Sequence, residues 1–212
     1  MNSSSAQCGN SRSAFADRAR PEIFRRPNRF AYLDASNIWL AGAQVSAARR
    51  GLALSPARAA EERVLDPRFR VDFAKLRAFA VGEDPSAIAH TVCVGSTGTN
   101  NNGAIWKMAQ QAGWATITPT RARSGREKEV DTSLSVVLLE DLLLADAGDL
   151  DITLFSGDRD LLPAISAVKR RGHAVDVAAW EHSTSGELKR AARRFIALDE
   201  YFELLSYEPQ PN

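Results

Sequence analysis

This sequence has little of several features that would each assign it to a class of protein. It contains two cysteines among 212 residues, Cys8 in a polar stretch and Cys93 in an apolar one, so neither a disulfide framework nor a zinc ligand set is predicted. Its longest apolar stretch, residues 134–144, is interrupted by Glu140 and Asp141 and cannot span a membrane. The N-terminus lacks the apolar core of a secretion signal. These absences predict a cytoplasmic protein without a membrane partner.

The sequence also lacks an excess of charge of either sign. It has 27 Lys and Arg against 26 Asp and Glu, a formal net charge of +1. Any contact with nucleic acid would therefore depend on a local basic patch. The composition, 44% hydrophobic and 25% charged, is typical of a globular domain. We expect a disordered basic N-terminal arm over residues 1–28, one domain over 29–206 and a short tail over 207–212.

Strand and helix patterns alternate through the domain. Apolar runs predict strands near residues 30–33, 88–94, 114–117, 152–155, 174–179 and 195–197. Helical spacing predicts helices near residues 73–80, 104–112, 131–145, 161–171, 185–194 and 199–205. Residues 42–70 are predicted to be an insertion, helical around 57–63. This alternation predicts an α/β fold, a parallel sheet covered by helices on both faces.

Acidic side chains follow two of the predicted strands. Asp34 ends the first strand, with Asn37 three residues later, and Asp158 and Asp160 follow the strand at 152–155. Asp131 begins the long helix before that strand. Ligands bind at the carboxyl ends of strands in an open parallel sheet. Acids that converge there repel one another unless a cation lies between them, and hard carboxylate oxygens suit Mg²⁺ or Mn²⁺. The usual chemistry of such a site is performed on phosphates.

Each of these acids also has a structural interpretation. Asp131 could cap a helix, Asp34 could begin a turn, and Asp158 or Asp160 could cap the helix that follows. Their joint occurrence at the strand ends of one sheet favours a shared acidic site.

A basic cluster precedes the long helix. Arg121, Arg123, Arg126 and Lys128 lie in the loop that leads to Asp131. On the rim of an acidic site, such a cluster would contact the phosphate backbone of a nucleic acid. Arg159, between the two strand-end aspartates, is assigned to the same role. A solvated charged loop remains the alternative interpretation of the cluster.

Several segments, taken in order, resemble a known family. They are Tyr32-Leu33-Asp34-Ala35-Ser36-Asn37, Lys128-Glu129-Val130-Asp131, Phe155-Ser156-Gly157-Asp158-Arg159-Asp160-Leu161-Leu162-Pro163, Lys169-Arg170-Arg171-Gly172-His173-Ala174-Val175 and Ser185-Gly186-Glu187-Leu188. Together they are similar to the NYN domain, the LabA-like branch of the PIN-like nuclease superfamily, over residues 29–205. The Ser-Gly-Asp-x-Asp segment is the most specific part of this resemblance.

The resemblance implies a Rossmann-like, three-layer α/β/α sandwich with a mainly parallel central sheet. It also implies a metal-dependent ribonuclease that hydrolyses RNA phosphodiester bonds with Mg²⁺ or Mn²⁺. The family's acidic residues correspond to Asp34, Asp131, Asp158 and Asp160, which would hold the metal. Its early asparagine corresponds to Asn37, which would orient water or a phosphate oxygen. The expected partner is RNA, single-stranded or structured, and a homodimer stays open.

Three departures from the family pattern favour an alternative function. Residues 135–137 read Ser-Val-Val where many members have a further acid, residues 192–195 read Ala-Arg-Arg-Phe without the usual Asp, and Arg159 replaces a small polar residue. The alternative is a catalytically weak NYN protein that binds RNA or a partner protein as a regulator. A small-molecule phosphatase is disfavoured, because Ser36 occupies the position where that chemistry needs a second acid.

Overall fold

The structure, a computed structural model, describes residues 28–82, 89–95, 103–118, 128–144 and 150–209, with only the backbone of residues 128 and 129. The strands in these ranges are β1 (Arg29–Asp34), β2 (Arg70–Val71), β3 (Ala89–Val94), β4 (Ala115–Ile117), β5 (Asp151–Phe155), β6 (Val175–Ala179), β7 (Phe195–Ala197) and β8 (Ser206–Tyr207). The helices are α1 (Ala35–Arg49), α2 (Pro56–Glu62), α3 (Phe73–Val81), α4 (Gly103–Gln111), α5 (Lys128–Leu144), α6 (Leu162–Arg170), α7 (Gly186–Ala191) and α8 (Phe202–Leu205). No helix within these ranges is long and apolar enough to cross a membrane.

The main sheet has six parallel strands in the order β4-β3-β1-β5-β6-β7. The chain first adds β3 and β4 on one side of β1 and then adds β5, β6 and β7 on the other side. The order therefore reverses between β1 and β5, and a crevice opens outside the carboxyl ends of these two strands. We call this end of the sheet the carboxyl edge and the opposite end the amino edge.

Helices cover both faces of the sheet. On one face, α1, α3, α4 and α8 pack against the side chains that point towards them from the strands, among them Leu33 and Phe155. On the other face, α5, α6 and α7 pack against Phe30, Tyr32 and Leu154. The strands are buried on both sides, as the apolar runs of the sequence require in a parallel sheet. The predicted three-layer α/β/α fold is confirmed.

Most predicted elements occur within a few residues of their predicted bounds. Gly113 and Gly172 follow α4 and α6 with φ angles of +89° and +84°, a backbone conformation that glycine adopts without strain. The predicted insertion at residues 42–70 begins inside α1, where Ala41–Ala47 are buried against the sheet. Gly42 has no room for a side chain there, because an added Cβ would lie 2.4 Å from Phe69 Cζ. The antiparallel pair of β2 and β8, two residues each, was not predicted.

A buried polar network connects α5 to the sheet. The Tyr32 hydroxyl in β1 donates to Asp141 Oδ2 in α5 at 3.0 Å, and His90 Nε2 in β3 lies 3.1 Å from the same oxygen. The hydrogen bond to Asp141 raises the pKa of His90, whereas burial lowers it. The network fixes α5 relative to β1 and β3.

We expect Tyr32→Phe to lower the free energy of unfolding by roughly 1.5–3 kcal/mol, because it removes a hydrogen bond to a charged acceptor in a partly buried site. Urea denaturation measures the loss. Tyr207→Phe is the control, since its exposed hydroxyl contacts only the weak acceptor Met108 Sδ at 3.8 Å and should change stability little. Equal stability of the two variants would contradict a structural role for the network.

Candidate active site

Asp34 is a buried carboxylate at the carboxyl end of β1. Residues 30, 32 and 34 point to the same face of the sheet, the one covered by α5, because side chains alternate along a strand. Asp34 is 3% exposed. Its Oδ1 accepts the backbone N–H of Asn37 at 3.0 Å and so caps α1. Asp34 therefore caps a helix, a structural role different from the turn that the sequence suggested, but surface caps are rarely this deeply buried.

The segment after β5 bonds directly to Asp34. Ser156 Oγ donates to Asp34 Oδ2 at 3.2 Å and accepts the backbone N–H of Asp158 at 3.1 Å. The backbone N–H of Gly157 donates to Asn37 Oδ1 at 2.9 Å. The ends of β1 and β5 are thus held together by side chains from both segments, and Asp158 has a fixed position beside Asp34.

Asp131 approaches the same place from α5. It is the fourth residue of α5 and is partly buried, so it does not occupy the N-cap position that the structural interpretation required. The pKa of Asp34 is raised to about 7, because burial and the negative charges of Asp131 and Asp158 together outweigh the lowering effect of the hydrogen bonds from Asn37 and Ser156. Three carboxylates from separate elements therefore share one electrostatic environment.

Asp160 and Arg159 occupy the outer side of this group. Both lie in the 3-10 helix Arg159–Leu161, which Asp158 caps by accepting the Asp160 backbone N–H at 2.9 Å. The Asp160 side chain is exposed, and the carboxylates that act on the pKa of Asp34 are those of Asp131 and Asp158. Arg159 Nε pairs with Glu187 Oε2 of α7 at 2.7 Å. Arg159 is thus a rim residue whose charge is already partly balanced.

The remaining predicted site residues are the basic cluster before α5 and Asn37. Arg121, Arg123 and Arg126 lie outside the described residues, and Lys128 begins α5 with its side chain undescribed. The structure brings Asn37 to the site, where its Oδ1 bonds to the backbone of Gly157 rather than facing outward.

Sequence reasoning missed two residues that shape the site. Ser156 links the two acidic segments, and Thr184 lies against Gly157, where an added Cβ would be 3.0 Å from Thr184 Oγ1. The signal for Ser156 was its place in the Ser-Gly-Asp-x-Asp segment, two residues before Asp158.

The donor set has the chemistry that a hard divalent cation requires. Asp34, Asp131 and Asp158 supply carboxylate oxygens, and a cation between them would offset the repulsion that raises the pKa of Asp34. Within the described part of the chain, no three His, Cys, Asp or Glu side chains form a group that could hold a metal ion. This is compatible with Mg²⁺, which is commonly bound by one or two carboxylates, several waters and the substrate phosphate.

Comparison with known proteins gives two findings. The NYN domain family matches residues 42–199 of this chain. The match covers Asp131, Asp158 and Asp160 and begins after Asp34 and Asn37. The crystal structure of a protein of unknown function from Vibrio parahaemolyticus is similar in fold, with a TM-score of 0.57, 14% sequence identity and coverage of 86% of this chain and 99% of that chain. No curated protein matches this chain.

Proposed function

Because the chain belongs to the NYN domain family, we propose that it is a metal-dependent ribonuclease of the PIN-like superfamily. Family membership indicates nuclease chemistry at the level of the superfamily. RNA as the substrate, a divalent cation and the residues that act are our proposals. The observation that carries them is a buried carboxylate, Asp34, that shares its electrostatic environment with Asp131 and Asp158 at the crevice between β1 and β5.

Of the four proposed metal ligands, Asp34, Asp131 and Asp158 supply one or two direct carboxylate contacts, and Asp160 is an outer carboxylate that acts through water. When bound, Mg²⁺ or Mn²⁺ supplies positive charge to a phosphodiester and lowers the pKa of a water molecule. The exposed position of Asp160 supports the outer role. Asp158 and Asp160 look equivalent in the sequence, but we assign them different roles because their surroundings differ.

The chain's own residues prepare this site before substrate arrives. Ser156 and Asn37 fix the two strand ends relative to each other through the hydrogen bonds described above. Because the donors to Asp34 are a backbone N–H and a hydroxyl, they orient its carboxylate without neutralising it. The site is therefore preorganised, and little reorganisation is needed at the moment of reaction. We assign Ser156 and Asn37 as positioning residues.

The test is cleavage of a panel of end-labelled RNA and DNA oligonucleotides by the purified protein with Mg²⁺, Mn²⁺ or EDTA. Asp158→Asn should lower RNA cleavage about 10²- to 10⁴-fold, the usual effect of losing a catalytic group. Asp72→Asn is a matched control, because Asp72 caps α3 as Asp158 caps its 3-10 helix and Asn caps as well as Asp. Both variants should fold equally well.

Two outcomes would contradict the proposal. Cleavage that survives EDTA or Asp158→Asn would exclude the acidic site as the source of activity. RNA binding without cleavage in any metal would instead favour the alternative, a catalytically weak RNA-binding regulator.

A further inference from the structure

We propose that a basic surface at the amino edge of the sheet is a second RNA-contact surface, which holds the RNA strand beyond the acidic site. This inference rests on the proposed function. We call the surface the amino-edge patch. It consists of residues at the end of α6, in α7 and in the turn before β7, namely Lys169, Arg170, Arg171, Arg190, Arg193 and Arg194.

The amino-edge patch concentrates positive charge that the chain as a whole does not have. The whole chain carries a net charge of +1, whereas within the described residues the ion pairs of the six exposed cations of the patch involve two carboxylates, those of Asp151 and Asp176. The opposite edge of the sheet carries the acidic group. Among the described residues, the two edges of the sheet therefore differ in charge, and a polyanion would be attracted to the patch while the acidic group repels it unless a cation is bound there.

Two arginines of the patch are held in place by a buried carboxylate. Asp176 in β6 is 2% exposed; its Oδ1 and Oδ2 accept from Arg193 Nε and Nη2 at 2.7 and 2.9 Å. Arg194 Nε donates to Oδ2 at 3.0 Å. Burial alone would raise the pKa of Asp176, but the two guanidinium groups hold it below its usual value. Although paired, the Arg194 side chain is 67% exposed, so its remaining donors face solvent in a fixed geometry.

The patch is connected to the acidic site by two short helices that pack against each other. At the site end, Arg159 pairs with Glu187 in the first turn of α7. At the other end, Lys169 Nζ donates to the carbonyl of Ala191, the last residue of α7, at 3.0 Å. At 1.5 Å per residue, the six residues of α7 span about 9 Å and the nine residues of α6 about 14 Å. A single RNA strand of a few nucleotides could bridge this distance along α7.

The composition of the patch favours a phosphate backbone as its partner. Five of the six cations are arginines, whose planar guanidinium groups bind phosphate oxygens through two parallel hydrogen bonds. Cations at both ends of α7 would meet successive phosphates of one strand, which is how single-stranded nucleic acid is followed along a groove. We therefore assign the patch to the RNA substrate rather than to an anionic membrane.

Binding of labelled single-stranded RNA tests this assignment by fluorescence anisotropy in EDTA, with Asp158→Asn as the parent so that RNA is not cut. The test variant carries Arg170→Ser, Arg171→Ser and Arg190→Ser. It spares Arg193 and Arg194, because their loss would leave Asp176 buried and unpaired. The control variant, Arg58→Ser, Arg68→Ser and Lys75→Ser, makes the same charge change at exposed positions on α2, α3 and the segment between them.

For RNA of about 16 nucleotides, the test variant should bind roughly 10- to 100-fold more weakly than the control variant. The slope of log affinity against log salt should become shallower by about 2, since three phosphate contacts at 0.7 each are lost. A dinucleotide, too short to reach from the site to the patch, should show a smaller loss.

An unchanged slope with RNA still bound would overturn the patch and leave the proposed function intact. If the Asp158→Asn parent binds no RNA, the assignment of the patch is overturned as well. Cleavage of RNA by the wild-type protein in Mn²⁺ decides the proposed function separately. Binding of vesicles containing anionic lipid, in place of RNA, would assign the patch to a membrane and also overturn the inference.

Discussion

Asp34→Asn is expected to reduce metal-dependent RNA cleavage about 10³-fold. The substitution removes one negative charge from the centre of the acidic group while keeping an oxygen that can accept the Asn37 backbone N–H, as Asp34 Oδ1 does at 3.0 Å. The loss should therefore fall on cation binding and catalysis rather than on the fold. The measurement is initial cleavage rate at several Mn²⁺ concentrations, which separates weakened cation binding from a lower maximal rate.

The same substitution should stabilise the protein, and this outcome separates a functional acid from a structural one. The pKa of Asp34 is raised to about 7, first by burial and then by Asp131 and Asp158. A folded-state pKa above the unfolded value means that the folded protein binds the proton more tightly. The protonated Asp34 therefore contributes to stability below about pH 4, and this contribution is lost as the pH rises to about 7. Asparagine does not titrate, so the variant avoids this loss.

We expect Asp34→Asn to be more stable than the wild type by roughly 2 kcal/mol at pH 8 in EDTA, and by much less at pH 4. Denaturant unfolding at both pH values measures the difference. Added Mn²⁺ should raise the stability of the wild type at pH 8 and leave the variant nearly unchanged. A variant less stable than the wild type at pH 8 would show that Asp34 serves the fold, and would remove the main support for the site.

Gly157→Ala is expected to lower cleavage about 10²-fold although it adds one methyl group. An added Cβ would lie 2.8 Å from the backbone carbonyl oxygen of Ser183 and 3.0 Å from Thr184 Oγ1. Since a backbone oxygen cannot rotate away, the segment that carries Asp158 must shift. Displacement of a catalytic group by about 1 Å costs rates of this order.

Gly103→Ala is the control for this prediction, because an added Cβ at Gly103 meets nothing within 4 Å. The comparison uses kcat/KM for RNA cleavage together with the midpoint of thermal unfolding. Full activity of Gly157→Ala would contradict the close approach of residues 157 and 183. A large drop in stability alone, with activity kept per folded molecule, would assign the contact to folding instead.

Much of the fold follows from the sequence because the strands of a parallel sheet are buried on both faces. Apolar runs such as those of β1 and β5 therefore stand out from the amphipathic helices between them. The ribbon of β2 and β8 could not be found this way, because two residues are too few to show a period. Helix α1 (Ala35–Arg49) was not predicted at all, since Ala41–Ala47 has few large apolar residues and gives a weak helical signal.

The sequence by itself predicted the acids of the candidate site, since Asp34, Asp158 and Asp160 each follow an apolar run that is typical of a buried strand. Tertiary structure alone decided how they differ. Sheet order places β1 beside β5, so Asp34 is buried next to Ser156 while Asp160 stays exposed. The turn of α5 brings Asp131 close enough to raise the pKa of Asp34. Burial and charge–charge distance depend on which segments meet in space, and spacing along the chain does not contain that information.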